Sequence, residues 1–189
     1  MRLPESILRI TSRYFLDLKP ETKRRVKLQN FNQARSIGLL YKERGESFYI
    51  LVKQYVKYLK EEHGIRDIMA LAYIDDKQIP FWHVHKLEFD YFSKPDLDWR
   101  LKPGGSAVND FIHRDFDILI DFTLEDVMPL MHILAKSRAR FKVGAWNEQK
   151  ADMLDLMIDI PENSTFDQYQ QKLNHFLTIL NRKQDAQPV

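Results

Sequence analysis

The chain has 189 residues, no cysteine and a formal net charge of +2, with 44% hydrophobic and 30% charged residues. That length and composition suit one packed domain with a short appendage and argue against wholesale disorder. Without cysteine, disulfides, thiolate zinc sites, iron–sulfur ligation and a cysteine nucleophile are excluded, and a cytoplasmic address fits best.

Charge divides unevenly along the chain. Residues 1–35 carry nine Lys/Arg against three acids, a local excess of +6 that leaves the remainder at −4. A basic arm on a mildly acidic body suits docking onto phosphate-rich or acidic surfaces, and serves equally as a solvated tether. No apolar run approaches the ~20 residues needed to span a bilayer. No signal peptide is expected, since Arg9 and Arg13 interrupt any apolar h-region.

Taken in chain order, Pro4 opens a helix to about Leu16, with Ile7, Leu8, Thr11, Tyr14, Phe15 and Leu18 at helical spacing. Residues 19–29, with Pro20 and the basic run Lys23, Arg24, Arg25 and Lys27, read as linker. Residues 36–41 (SIGLLY) form a buried strand, and 46–62 the clearest helix, its stripe Phe48, Leu51, Val52, Tyr55, Val56 and Leu59 ending at Gly64. Strands follow at 67–74 and 87–92, then a short helix at 107–113 behind Gly104-Gly105. The strongest strand is 116–122 (FDILIDF), and Thr123 with Asp126 starts a helix to about Ser137 in which Pro129 is awkward and confines the regular helix to its C-terminal side. Two more strands, 140–143 and 156–160, precede a final helix over 166–181.

The strands are continuously apolar instead of alternating, which means burial on both faces and a mostly parallel sheet of five or six strands between helix layers. The expected fold is therefore a three-layer α/β sandwich, Rossmann-like or flavodoxin-like, preceded by a basic N-terminal helical arm. It divides into an arm (1–33), one α/β domain (34–183) and a polar tail (184–189). The join between the second and third strands, about a dozen residues, sits at the short limit for a parallel crossover, which leaves an antiparallel third strand open.

Four strings carry a resemblance: residues 116–144 (FDILIDFTLEDVMPLMHILAKSRARFKVG), 34–41 (ARSIGLLY), 92–99 (FSKPDLDW) and 155–160 (DLMIDI). In that order they resemble a domain-of-unknown-function family of Bacteroidota proteins over nearly the whole chain. The resemblance implies a cytoplasmic α/β protein and no particular activity. The unit 116–144 is also similar to the matching unit in the N-terminal half of heptosyltransferase-type glycosyltransferases. Those enzymes carry a Gly-Asp pair after their first strand, where this chain has Lys42-Glu43-Arg44-Gly45-Glu46, and they need a second Rossmann-like domain. That likeness supports the fold and argues against glycosyl transfer by this chain alone.

Neither G-x-G-x-x-G nor G-x-x-x-x-G-K-[ST] nor G-x-S-x-G occurs, so no cofactor and no catalytic residue is assigned. His83-x-His85, with Glu88, Asp90 or His113 to complete a set, is the best metal candidate, and the reading preferred is a packed loop without metal. Asp75, Asp121, Glu125 and Asp126 are candidate ligand-binding acids at the carboxyl ends of the strands, where open α/β sheets bind ligands. Asp76, Asp159 and Glu162 share that edge if the strands are parallel. The competing role for Asp121 and Asp126 is to satisfy helix N-terminal amides. Trp99, with Arg100 and Lys102, is a candidate anion or peptide site, or a loop anchored onto the core by its tryptophan.

Two functions compete. One is a non-catalytic binding or adaptor domain docking through residues 1–35, with Lys23, Arg24, Arg25 and Lys27 as polyanion contacts. Its partners are RNA or a ribosome-like particle, an acidic protein, or an anionic membrane surface. The alternative is a protein or enzyme handling a nucleotide or phosphosugar at the strand ends.

Overall fold

A computed structural model of the chain describes residues 18–21, 24–83, 87–161 and 163–180. The helix expected over 4–16, Lys23, His85, Glu162 and the tail beyond 183 lie outside the described residues. Six strands form one sheet: β1 (Ser36–Lys42), β2 (Asp67–Ile74), β3 (Phe89–Ser93), β4 (Ile118–Asp121), β5 (Phe141–Ala145) and β6 (Leu156–Ile158). Among the described residues four α-helices accompany them: α1 (Glu46–His63), α2 (Ser106–His113), α3 (Met128–Lys136) and α4 (Phe166–Ile179).

The sheet order is β3-β2-β1-β4-β5-β6 and every pairing is parallel. Side chains alternate across the pleat, and both faces are apolar, which is why no period of two shows in the hydropathy. Ile37, Leu39, Ile118 and Ile120 face one core, closed by Val52, Tyr55 and Leu59 of α1 and by Tyr169, Leu173 and Leu177 of α4. Leu40, Met69, Leu71 and Leu119 face the other, closed by Val108 and Phe111 of α2 and by Leu130, Met131 and Leu134 of α3. The expected three-layer sandwich is the observed one.

β3 resolves the open orientation: it pairs parallel with β2, from Ala70 opposite Phe89 to Ile74 opposite Ser93. The crossover through residues 75–88 has no helix among its described residues. It is long enough for a parallel return without one.

The start of α3 needs correction. Thr123 and Asp126 do not cap it; the helix begins at Met128 after Val127, which puts Pro129 in the first turn, where its missing N–H and fixed φ do no harm. Gly64 ends α1 as expected, in the left-handed region (φ 66°) with its N–H on Leu59 O. A capping box that went unread in the sequence, Thr165 with Gln168, starts α4.

The stretch read as linker is docked onto the body. Glu21 N–H donates to Ala135 O (2.9 Å), Lys27 N–H to Arg140 O (3.0 Å) and Phe31 N–H to Leu177 O (3.0 Å). Leu18 packs against the α2/α3 core, and Phe31 is buried in the α1/α4 core. Body contacts thus begin upstream of Ala34.

Gly38 leaves room for the Phe116 ring and the Leu119 side chain against β1. A Cβ there would lie 2.9 Å from two Phe116 ring carbons and 3.1 Å from Leu119 Cδ1. Gly38→Ala should therefore destabilise the fold by about 1–3 kcal/mol, read from the urea midpoint. An unchanged midpoint would show that Phe116 yields without loss.

Candidate functional site

β1 lies between β2 and β4, so the order reverses there, and the carboxyl ends of β1 and β4 flank the crevice where doubly wound sheets bind ligands. Two loops line it, 43–45 after β1 and 122–127 after β4. The structure brings several predicted acids to this edge, each already engaged by a partner.

Asp121, the last residue of β4, is 1% exposed. Its Oδ2 accepts from Lys150 Nζ (2.8 Å) and its Oδ1 from Thr123 N–H (2.9 Å) and the Thr123 hydroxyl. Lys150 Nζ also donates to Thr123 O (2.9 Å) and Oγ1 (2.8 Å). Every polar atom of the cluster has a partner, as two buried charges require. Asp121 thus holds the loop after β4 shut, and the structure gives it no ligand-facing edge.

Asp75 and Glu125 do share one side of the crevice, bridged by a lysine. Lys42 Nζ is 3.3 Å from Asp75 and 3.7 Å from Glu125; Lys94 adds a second contact to Asp75 (3.0 Å) and Arg44 a second to Glu125 (3.8 Å). Partial burial works against ionisation of Asp75, but the Lys94 and Lys42 ammonium groups hold its pKa below the ordinary carboxylate value. Asp126 Oδ1 accepts from Asn147 Nδ2 (2.9 Å). Asp76 accepts from the N–H groups of Lys77 and Gln78, which lowers its pKa and makes it a turn former.

The residue pair that sequence reasoning missed is Glu43 with His83. Glu43 Oε1 accepts from Gly45 N–H (2.8 Å), and its Oε2 lies 2.8 Å from His83 Nε2, with both side chains at most 6% exposed. The His83 ring sits 4.7 Å from that of Tyr49 and 5.6 Å from that of Tyr91. His83 latches the crossover 75–88 onto the loop that starts α1. Forty positions separate the partners. The one legible hint was a glutamate directly after a buried strand. Burial, then the Glu43 charge, also pushes the buried Tyr41 phenol far above its ordinary pKa.

Trp99, Arg100 and Lys102 form a tight loop instead of a core anchor. Asp98 Oδ1 accepts from the backbone N–H of Arg100 (2.8 Å) and Lys102 (2.9 Å), Leu101 takes a left-handed conformation (φ 63°), and Leu97 bridges Pro103. Those two N–H bonds outweigh partial burial and hold Asp98 below its ordinary pKa. Trp99 is 69% exposed, with the Arg100 guanidinium 5.2 Å from its ring centre. Arg100 and Lys102 border a cavity of about 340 Å³.

The basic run divides. Lys23 lies outside the described residues. Arg24 makes a bidentate pair with Asp155 (2.8 and 2.6 Å) and donates to Ala139 O, its side chain 9% exposed, so it clamps the segment to the body. Arg25 and Lys27 are exposed. Behind the clamp, Lys142 is wholly buried, donating from Nζ to Leu134 O (2.6 Å) and Ala135 O (3.3 Å) at the end of α3. Burial, then the Arg24 charge, lowers its pKa to about 7, while Asp155 and Glu21 pull the other way.

What this geometry defines is a doubly wound parallel α/β domain with a neutralised strand-end edge and a basic N-terminal segment clamped along one side. The chain belongs to the family of unknown function DUF6913, whose model matches residues 10–180. No curated protein and no solved structure matches the chain.

Removing one member of the Asp121–Lys150 pair strands a buried charge. Lys150→Met should cost about 3–5 kcal/mol in urea unfolding, and Asp121→Asn/Lys150→Met should cost less than the two single changes added together. Strict additivity would mean the pair is not coupled.

For Lys142 the folded pKa of about 7 lies below the unfolded value of 10.5. Between those values the unfolded chain binds the extra proton, so this group makes stability rise with pH across the window, by at most about 1.4 kcal/mol per pH unit. Lys142→Met should flatten the rise in urea midpoint between about pH 7 and pH 9. The same slope in the variant would assign it to other groups.

Proposed function

We propose that this chain is a non-catalytic binding domain that docks onto the phosphate backbone of RNA, free or ribosomal, through its basic N-terminal segment and the body surface beside it. The observation that carries this reading is the register of the clamp. Arg24 donates to Ala139 O and Lys27 N–H to Arg140 O, which sets exposed Arg25 and Lys27 alongside exposed Arg138 and Arg140. Arg140 is paired with Asp117 (3.0 Å); Arg25, Lys27 and Arg138 have no carboxylate within 4 Å among the described residues. A row of cations pinned by backbone bonds presents its charge with less loss of freedom than a loose tether.

In this reading the Rossmann-like sheet is a scaffold and the protein is cytoplasmic, in keeping with its lack of cysteine. The small-ligand alternative at the strand ends has less support, because Lys42, Arg44, Lys94 and Lys150 already neutralise the acids there.

Lys23→Ser/Arg25→Ser/Lys27→Ser leaves the Arg24 clamp intact. It should weaken binding to single-stranded RNA and lower the slope of log K against log salt by about 2, at about 0.7 per contact. Wild-type protein that fails to bind RNA at about 50 mM salt would overturn the reading, and binding to anionic vesicles or an acidic polypeptide instead would reassign the partner.

A further inference from the structure

The cavity of about 340 Å³ is lined by residues of α2, α3 and the loops beside them, none of them a residue named above at the strand-end crevice. Its described wall is cationic from several independent sources. Arg100 and Lys102 come from the 97–103 loop, His113 from the last turn of α2, Lys136 from the last turn of α3, and Arg138 from the approach to β5. Against these four formal positive charges and two histidines, His113 and His132 of α3, stands a single acid, Glu21.

Part of that charge has an ordinary explanation, since cations in a last helical turn complement the helix dipole. This accounts for His113 and Lys136 and leaves Arg100, Lys102 and Arg138 without such a role. Arg100 lies 3.5 Å from Asp98, whereas Lys102 and Arg138 have no carboxylate within 4 Å among the described residues. Several carbonyls near the ends of α2 and α3 are already bonded. Lys142 Nζ takes Leu134 O and Ala135 O from beneath, Glu21 N–H also takes Ala135 O, and Arg138 N–H takes Ile112 O (3.1 Å). The loop is set in advance by its bonds to Asp98 and by Gly104 N–H on Asp96 O (3.0 Å). The loop backbone therefore needs no reordering on binding.

We propose that this cavity seats a phosphate group. Several cations converging from separate elements suit a multivalent anion better than a carboxylate, and the volume is at the lower end of the range for small-molecule sites. The phosphate arrives on a small phosphorylated molecule or as part of an RNA, and the first source stands even where the docking reading above fails.

Inorganic pyrophosphate and a 5′-phosphorylated RNA oligonucleotide serve as probes of the full chain at low salt. Pyrophosphate at about ten times its Kd should raise the melting temperature by roughly 3–6 °C. Lys102→Gln, alone and with Arg138→Gln, should weaken that binding at least about tenfold for the pair. The basal melting temperature should hold, because it is the Lys102 backbone N–H, retained in the variant, that bonds Asp98. The site shares Arg138 with the docking row, but Arg25→Ser/Lys27→Ser changes the row alone, so it should leave pyrophosphate binding intact while weakening RNA. Displacement of pyrophosphate by the oligonucleotide assigns the phosphate to RNA; undisturbed binding assigns it to a small molecule. No shift with pyrophosphate, or an equal shift in wild type and the Lys102→Gln/Arg138→Gln variant, overturns the proposal.

Discussion

In a sheet whose six strands all run parallel, each strand must be reached by a connection that crosses a face, so both faces are covered and the strand ends become the places where polar groups gather. Much else in this molecule follows from that constraint. Charged groups at covered strand ends cannot be left to water, and burying one without a partner costs several kcal/mol. The chain therefore matches them internally: Asp121 with Lys150 after β4, Glu43 with His83 after β1, and Asp155 with Arg24 before β6. Each pair also ties together loops that the sheet alone would leave independent. The Asp155 carboxylate joins the N-terminal segment to the β5–β6 turn and accepts Lys142 N–H as well (2.8 Å).

The same constraint explains what was legible in the sequence. The apolar runs at residues 36–41, 67–74 and 118–121 were readable as strands, and their lack of alternation was readable as a parallel sheet, because burial on both faces removes the polar half of the period. α1 was readable nearly to the residue, since its buried stripe and Gly64 are local signals. The start of α3 was not. Thr123 and Asp126 have the spacing of a cap, but Lys150 draws Thr123 into the Asp121 cluster and Asn147 draws Asp126 away, so a tertiary demand overrode a local one.

The candidate site was legible only in part, for a related reason. Residue type and position relative to a strand end placed Asp75 and Glu125 on one edge, and Lys42 confirms that they share it. What each acid does there depends on partners that no spacing rule connects: 29 positions separate Asp121 from Lys150, 40 separate Glu43 from His83, and 131 separate Arg24 from Asp155. Arg24 looked like its neighbours in the basic run, and only the fold sets it apart by facing it with a carboxylate. Trp99, Arg100 and Lys102 were picked out as an unusual cluster in a loop, yet the groups that share a cavity with Arg100 and Lys102 come from residue 21, α2, α3 and residue 138.

The charge asymmetry takes on a physical meaning once these pairs are in place. The body beyond residue 35 carries an excess of four acids, which could have cancelled most of the +6 of the first 35 residues. At the strand ends it does not, because Asp75, Asp121 and Glu125 are answered from within the body by Lys42, Arg44, Lys94 and Lys150. Among the described residues of the basic run, Arg24 is the one whose side chain pairs with a carboxylate of the body, and by doing so it holds Arg25 and Lys27 near a stretch that is itself basic at Arg138 and Arg140. Cations are thereby collected on the side of the molecule where the segment docks, while the edge that usually serves doubly wound sheets as a ligand site is internally balanced. Fields from neighbouring cations add within a Debye length of about 10 Å at 0.1 M salt, so such a concentration attracts phosphate more strongly than the same charges spread over the surface would.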